Sequence, residues 1–355
     1  ASGHRQPGST FKAIDLADAL SRGVNPNTTY YLSHTLQAGW LAGYPTYEVK
    51  TFEGTSLNKE LSLVSATLSS DNTVYAQLAA DLGEESITQT AYAMGVKTHL
   101  LGNASQALGG LEYGVTPLEM AIVYSTLANG GWRDNPIAIT KVVFPDGHVD
   151  SNWGQPQRTK VLSTGVTGEE TRILRMNVEQ GTAVRSRINC PTAAKTGTTT
   201  ELVDAWLDGF NSQYTTIVWM GYPNRRVPMT DVHGEPQQGG ALPAQIWHDY
   251  MSSVTEGHAC APLHESTAGL TFQPFYGKFA TTGKQATEPF GETPTRQHAR
   301  HGRPKKSERA VIEVQESPAP KGPAAAPSPA AHEAPAQPQS QPPPAAEPQT
   351  GGSAP

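Results

Sequence analysis

Between Thr192 and Tyr222 three runs of strand-forming residues follow one another, 192–199, 203–211 and 214–222, with only short turns between them. Parallel strands need a crossover of a dozen or more residues, so this spacing predicts an antiparallel meander. The stretch ahead of it has a different period. Apolar residues recur at helical spacing over about 9–22, 59–69, 72–82, 84–94 and 116–129. The last of these carries Thr116 as cap, Pro117 in the first helical position, Glu119 to complete a capping box and Gly130-Gly131 as the stop. A hairpin is expected next, with Ile137 to Phe144 as one strand and Pro145-Asp146-Gly147 as its turn. Helices are expected over 168–180 and, after the meander, over 241–255, where Leu242, Ile246, Trp247 and Met251 share a side. Helices first, then a meander and a closing helix, predict an α+β fold, an antiparallel sheet flanked by helices.

Composition sets how much of the chain takes part. Of the 355 residues only about the first 260 read as globular. The predicted division is a domain over 1–258, an irregular linker over 259–295, and a tail over 296–355 that is first basic (Arg296, Arg300, Arg303, Lys305, Lys306, Arg309), then rich in Pro, Ala and Gln. Such a tail cannot bury enough apolar surface to offset its ordering entropy and is expected to be disordered. A formal charge of −6 and the absence of any RNA or DNA motif argue against a nucleic-acid partner. No apolar run approaches the roughly 20 residues that span a bilayer. Two cysteines, Cys190 and Cys260, allow either a disulfide between the approach to the meander and the end of the last helix or two unrelated thiols.

Chemistry enters through three short strings. Ser9-Thr-Phe-Lys12 opens the first helical segment behind Pro7-Gly8, Ser70-Asp-Asn72 joins two further helices, and Lys195-Thr196-Gly197 lies on the first strand of the meander. Together they offer a serine hydroxyl, two amines able to take its proton, a second hydroxyl to relay it, and a cationic strand beside a glycine. That set suits acyl transfer without histidine. At a helix start, free N–H groups and the helix dipole favour charge developing at Ser9. Lys12, three positions on, shares its face, and burial beside a second cation, Lys195, would lower its pKa far enough for it to act as a base. Asn72 can accept from Lys12 and donate to a substrate amide, and Ser70 is suited to pass a proton to a departing amine. The backbone N–H groups of Ser9 and Thr198 would form an oxyanion hole. Gly197 would leave room for an extended peptide along the strand edge, and the hydroxyls of Thr196 and Thr198, with Lys195, suit a terminal carboxylate.

Each string alone has an ordinary reading, as a helix cap, a loop or a surface lysine. An S-x-x-K string arises by chance about once in a chain this long. One does, at Ser56-Leu-Asn-Lys59, where Ser56 reads as the cap of the helix beginning near Lys59. The ordered set of three is what carries the chemical reading.

The segments Arg5-Gln-Pro-Gly-Ser-Thr-Phe-Lys12, Ser70-Asp-Asn-Thr-Val-Tyr75, Gly114-Val-Thr-Pro-Leu-Glu-Met-Ala121, Gly181-Thr182 ahead of Ala194-Lys-Thr-Gly-Thr-Thr199, and Asp204-Ala-Trp-Leu-Asp-Gly-Phe210 extend the pattern. Over residues 1 to about 256 the chain resembles the transpeptidase domain of penicillin-binding proteins, most closely the bifunctional class A type. That resemblance implies the fold shared by these domains and serine β-lactamases, a five-stranded antiparallel sheet between helical groups. Two of its strands precede the nucleophile helix and are missing here, so 214–222 is expected to present an unpaired edge. The chain begins within a motif and lacks an initiator Met, and it reads as an N-terminally truncated fragment.

The resemblance further implies Ser9, Lys12, Ser70, Asn72 and Lys195 as catalytic residues and Thr196, Gly197 and Thr198 as substrate-binding ones, with no cofactor or metal. Its substrates would be peptidoglycan stem peptides, a D-alanyl-D-alanine donor and an amine acceptor, with β-lactam antibiotics as mimics of the donor. The place implied is the extracytoplasmic face of a bacterial membrane, reached through an upstream anchor absent from this chain. A D,D-carboxypeptidase, a serine β-lactamase, and a non-catalytic β-lactam sensor or cell-wall scaffold remain the alternatives. No G-x-S-x-G elbow, H-E-x-x-H, P-loop or dinucleotide fingerprint is present. Trp206, Trp219 and Trp247 are expected in packing, and His298 and His301 in the tail are not expected to be ligands.

Overall fold

The structure, a computed structural model, describes residues 3–51 and 57–282. A short 3-10 turn, Gly8–Phe11, runs directly into α1 (Lys12–Ser21). Strand β1 (Thr29–Ser33) follows, then β2 (Lys59–Ser62) and the helices α2 (Leu63–Ser69), α3 (Asn72–Leu82), α4 (Glu84–Met94) and α5 (Pro117–Ala128). Four short strands come next: β3 (Trp132–Asp134), β4 (Val142–Val143), β5 (Val149–Asp150) and β6 (Arg158–Lys160). Helix α6 (Thr164–Gln180) leads to the meander, β7 (Ala193–Thr198), β8 (Asp204–Phe210) and β9 (Thr215–Gly221), and then to α7 (Leu242–Thr255) and β10 (Thr281–Thr282).

The meander pairs antiparallel in the order β7-β8-β9, with Lys195 opposite Asp208 and Gly197 opposite Trp206. Among the described residues β9 pairs only with β8, which leaves it at the edge of the sheet. Side chains alternate across this sheet. Ala193, Trp206 and Phe210 face the main core formed with α1, α2, α3, α5 and α6, whereas Ala194 and Leu207 face Trp247 and Met251 of α7.

α1 lies inside the protein rather than on it. Every residue from Lys12 to Leu20 is buried, including Asp15 and Asp18 on the side away from the apolar stripe. α5 starts as its sequence dictates: Thr116 accepts from Glu119 N at 3.2 Å and Glu119 accepts in return from Thr116 N at 2.7 Å. Glu119 also takes the backbone N–H groups of Lys97 and Thr98, at 2.8 and 2.7 Å. Burial alone would raise its pKa, but these backbone donors hold it below the usual range.

Several elements differ from the sequence expectation. Residues 59–62 form β2, not the first turn of a helix, because Tyr30–Ser33 of β1 offer them a partner. Helix α2 therefore starts at Leu63 under a Ser62 cap. Ser56 lies outside the described residues. The hairpin around Asp146-Gly147 is real but only two residues long on each side, and the pairing of β3 with β6 beside it was not foreseen. The segment 259–282, read as a linker, is irregular up to β10. It nevertheless lies on the core, where Leu263, Leu270, Phe275 and Phe279 pack, and β10 adds to β1. Cys190 and Cys260 are joined in a disulfide, which ties the approach to β7 to the end of α7. The basic and Pro-rich stretch from Arg296, with His298 and His301, lies outside the described residues.

Candidate functional site

The segment ahead of Lys12 is held at several points by parts of the chain remote in sequence. Arg5 and Val115 exchange backbone hydrogen bonds at 2.8 and 2.7 Å. The Trp206 indole donates to Gln6 O at 2.8 Å, and the Tyr124 hydroxyl donates to Thr10 O at 2.9 Å. Gly8 has φ +54, where a side chain is strained. Gly197 matters for a different reason from the one expected. A Cβ there would stand 2.4 Å from Pro7 O and 2.8 Å from the Thr10 methyl. Its missing side chain admits the Ser9 segment against the strand, and that face of Gly197 is filled. The result is a short turn that leads Ser9, half-buried, into a cleft and Lys12, fully buried, beneath it.

Ser70 sits between α2 and α3 in the left-handed region, φ 56 and ψ 37. Such a conformation is uncommon for a residue with a side chain and is stored strain. The next residue fixes it. Asp71 caps α3, accepting from Thr73 N, Val74 N and the Thr73 hydroxyl at 2.9, 3.0 and 2.7 Å, and from the Ser33 hydroxyl at 2.6 Å. With the cap locked, Ser70 O, Ser70 Oγ and Asn72 Oδ1 all turn toward α1. Lys12 Nζ donates to Ser70 O at 2.7 Å and to Asn72 Oδ1 at 2.8 Å, and lies 3.5 Å from Ser70 Oγ. From the other side Lys195 Nζ donates to Ser70 Oγ at 2.8 Å and to Thr196 O at 3.1 Å. One hydroxyl thus stands between two buried amines.

Burial lowers the Lys12 pKa to about 7, against the opposing pull of Asp71 and Asp15. Lys195 is lowered too, first by burial and then by Lys12, with Asp208 opposing. A neutral lysine at position 12 has two N–H donors, and Ser70 O and Asn72 Oδ1 take both. Its lone pair is left for a further hydroxyl.

Ser9, Ser70, Asn72, Thr196 and Thr198 line a single cleft of about 390 Å³, together with Thr51, Thr182, Gln238 and Gly240. Thr196 and Thr198 point to the face opposite Lys195 and Gly197. The hydroxyls of Thr196 and Thr182 are 2.7 Å apart, and Thr198 Oγ1 accepts from Gly239 N at 3.1 Å. A second cleft of about 440 Å³ shares Ser9, Asn72 and Thr198 and continues past Tyr47, Lys50 and Ser105. Asn72 spends one amide N–H on Lys50 O at 3.1 Å, leaving one. A larger cavity of about 770 Å³ beside Arg175, Arg187 and Cys190 lies away from these groups and brings no lysine to a hydroxyl. All eight residues nominated from the sequence therefore gather at one place: six line the cleft or its floor, Lys195 lies behind Ser70, and Gly197 forms the seat of the Ser9 segment. The reading missed Thr182 as a cleft residue, although Gly181-Thr182 belonged to the pattern, and it missed Gln238, Thr51 and Lys50, which lie on loops without periodicity.

Residues 1–252 match the family described as penicillin binding protein transpeptidase domain. The chain belongs to this family. Among curated relatives, penicillin-binding protein 1A of Aquifex aeolicus is 31% identical over 258 residues, which cover 71% of this chain and 33% of the relative. Penicillin-binding protein 2D of Bacillus subtilis is 29% identical over 263 residues, covering 71% and 36%. The chain thus spans about a third of the length of these relatives. Among solved structures, the PonA1 protein of Mycobacterium tuberculosis in complex with penicillin V has a TM-score of 0.65 at 23% identity, covering 73% of this chain and 72% of that one. This last likeness concerns the fold, which is the α+β transpeptidase fold of penicillin-binding proteins. Among the described residues no group of His, Cys, Asp and Glu could hold a metal ion, and no helix is long and apolar enough to cross a membrane.

Proposed function

We propose that this chain is the acyl-transferring part of a peptidoglycan-building penicillin-binding protein, a D,D-transpeptidase that works through an ester on Ser9. The observation that carries the reading is the convergence of Lys12 and Lys195 on Ser70 Oγ at the floor of the cleft that Ser9 lines.

In this reading Lys12, neutral in part near pH 7, takes the Ser9 proton as the hydroxyl attacks the penultimate carbonyl of a D-alanyl-D-alanine end. The Ser9 Oγ–C bond forms, and the oxyanion is met by the N–H groups of Ser9 and Thr198. As the intermediate collapses the C–N bond breaks. The proton on Lys12 passes through Ser70 Oγ to the departing D-alanine nitrogen, while Lys195 supplies a replacement hydrogen bond to that hydroxyl. The amine of a second stem peptide then attacks the ester, its proton returns by the same path to Ser9, and a cross-link results. The hydroxyls of Thr182, Thr196 and Thr198 would receive the donor's terminal carboxylate. The second cleft beyond Asn72 offers a route for the other peptide. A β-lactam, sharing the donor's shape and lacking a leaving group that diffuses away, would stay on Ser9. Such a protein acts on the outer side of a bacterial membrane.

The test is incubation with a fluorescent penicillin, followed by peptide mapping. We expect one adduct, on Ser9, lasting many turnovers' worth of time and absent in Ser9→Ala. Label on another serine, or rapid release of hydrolysed drug, would point away from a transpeptidase, the latter toward a β-lactamase.

A further inference from the structure

Beneath the cleft lies a carboxyl group that the mechanism above does not use. Asp208 stands in the middle of β8, the central strand of the meander, on the face that also carries Trp206 and Phe210. It is fully buried, and neither carboxyl oxygen has a hydrogen-bond partner among the described residues. A strand interior facing an apolar core is an expensive place for such a group unless something opposes its charge. The residue directly across the ladder is Lys195, and side chains facing each other across antiparallel strands stand within about 5.5 Å at Cβ.

We propose, on the footing of the transpeptidase reading, that Asp208 is a positioning residue that keeps Lys195 in the site as an ammonium ion. Each amine in the site has acid nearby. Lys12 has Asp71, a carboxylate that accepts four hydrogen bonds, and the buried Asp15. Lys195 has Asp208 as its counter-charge and two oxygens, Ser70 Oγ and Thr196 O, to receive its N–H groups. No ion pair within 4 Å joins Lys195 to Asp208; the amine bonds Ser70 Oγ instead. Asp208 acts through the field in a dry interior, where charges are felt at longer range.

Other groups face the pair from each packed element. Lys12 comes from α1, and the hydroxyl of Thr10 comes from the turn before it. The Tyr124 hydroxyl faces Asp208 from α5, and Glu170 lies beyond it on α6. β9 presents Ile217 opposite Asp208. Burial pushes the Asp208 pKa up and that of Lys195 down, and each group resists the other's shift. The charged pair is the state we assign, since Lys195 as a cation holds its hydrogen bonds and repels a proton from Lys12.

Asp208→Asn keeps the shape and removes the charge. The test is the rate of Ser9 acylation by penicillin from pH 6 to 9, in the variant against the unaltered protein, with thermal melts alongside. We expect the alkaline limb of the variant to lie a pH unit or more lower, so that its rate relative to the unaltered protein falls about tenfold across that range. If burial instead leaves both groups neutral, the variant is isoelectric and the limb does not move; that result overturns the proposal. So does a loss of rate that is equal at every pH, which marks a structural role. A direct reading needs no variant at Asp208: in protein with 13C-labelled lysine, the Lys195 ε-carbon, assigned through Lys195→Arg, should titrate as an ammonium at pH 7. A neutral Lys195 there refutes the assignment. Failure of Ser9 to take label in the unaltered protein would strike the transpeptidase reading instead.

Discussion

Replacing Glu170 by Gln should make the protein more stable at neutral pH, and the gain should grow with pH. Glu170 lies in α6, fully buried, and neither carboxyl oxygen has a hydrogen-bond partner among the described residues. Burial, and then the neighbouring Asp15, push its pKa well above the usual range. The folded state therefore binds a proton that the unfolded chain, titrating near 4.3, has released. Between those two pKa values stability falls about tenfold in the folding constant for each pH unit, and it levels off only above the folded value. From pH 5 to 7 that amounts to about 3 kcal/mol for one carboxyl that stays protonated when folded. Glutamine has the same shape and cannot titrate. Urea unfolding of both proteins at pH 5, 6 and 7 should show a difference that widens by about this amount in favour of Glu170→Gln. Asp15 and Asp208 are raised in the same direction and largely cancel in the comparison. A difference that is flat across the three pH values would refute the reasoning, because it would mean that Glu170 is ionised in the folded protein.

Two more outcomes follow from the site. With Lys12 near pKa 7 and acting as the base, the rate of acylation should rise about tenfold per pH unit up to that value and then level; stopped-flow labelling between pH 5 and 8 checks this, and a profile already flat at pH 5.5 contradicts the role. Gly197→Ala should slow acylation more than a hundredfold and lower the melting temperature by several degrees, because the new methyl would stand 2.4 Å from Pro7 O and push the Ser9 segment off the strand; a variant that labels at the normal rate would show that the segment has room to give.

Much of this was legible because the chain states its local rules plainly. Thr116, Pro117 and Glu119 start α5 where they should, and the short turns after Thr199 and Asn211 leave the meander no other topology. Lys12, Ser70, Asn72 and Lys195 could be nominated because acyl transfer needs those groups at close quarters and three short strings provide them. β1 and β10 were not legible: two residues of β10 pair with a strand about 250 positions away, and no local pattern announces such a partner. Residues 59–62 carry a helical period, yet the strand won because β1 lay beside them. The cleft residues Gln238, Thr51 and Lys50 sit on loops whose positions depend on everything they pack against.

Asp15, Glu170 and Asp208 were passed over for a different reason. None of the three belongs to a string that carries the acyl-transfer chemistry, although strand alternation alone sets Asp208 on the face of Trp206 and Phe210. Only the complete burial of α1, of the core-facing side of α6 and of the inner face of β8 turns them into core acids. The same burial lowers the pKa values of Lys12 and Lys195, so the two effects have one cause. An interior dry enough to make a lysine a base at neutral pH is also dry enough to penalise every carboxylate within it. The protein can lower that penalty by placing one carboxylate against one amine, as we propose for Asp208 and Lys195, or by favouring the protonated acid, the direction in which burial moves Glu170. Stability at neutral pH should then be the property given up. Removing a neutral acid should restore it without touching acylation, whereas removing a paired one should alter the pH at which acylation works. Measuring Glu170→Gln and Asp208→Asn side by side separates the two: if both variants shift stability and neither shifts the pH profile, the amines draw their reactivity from elsewhere.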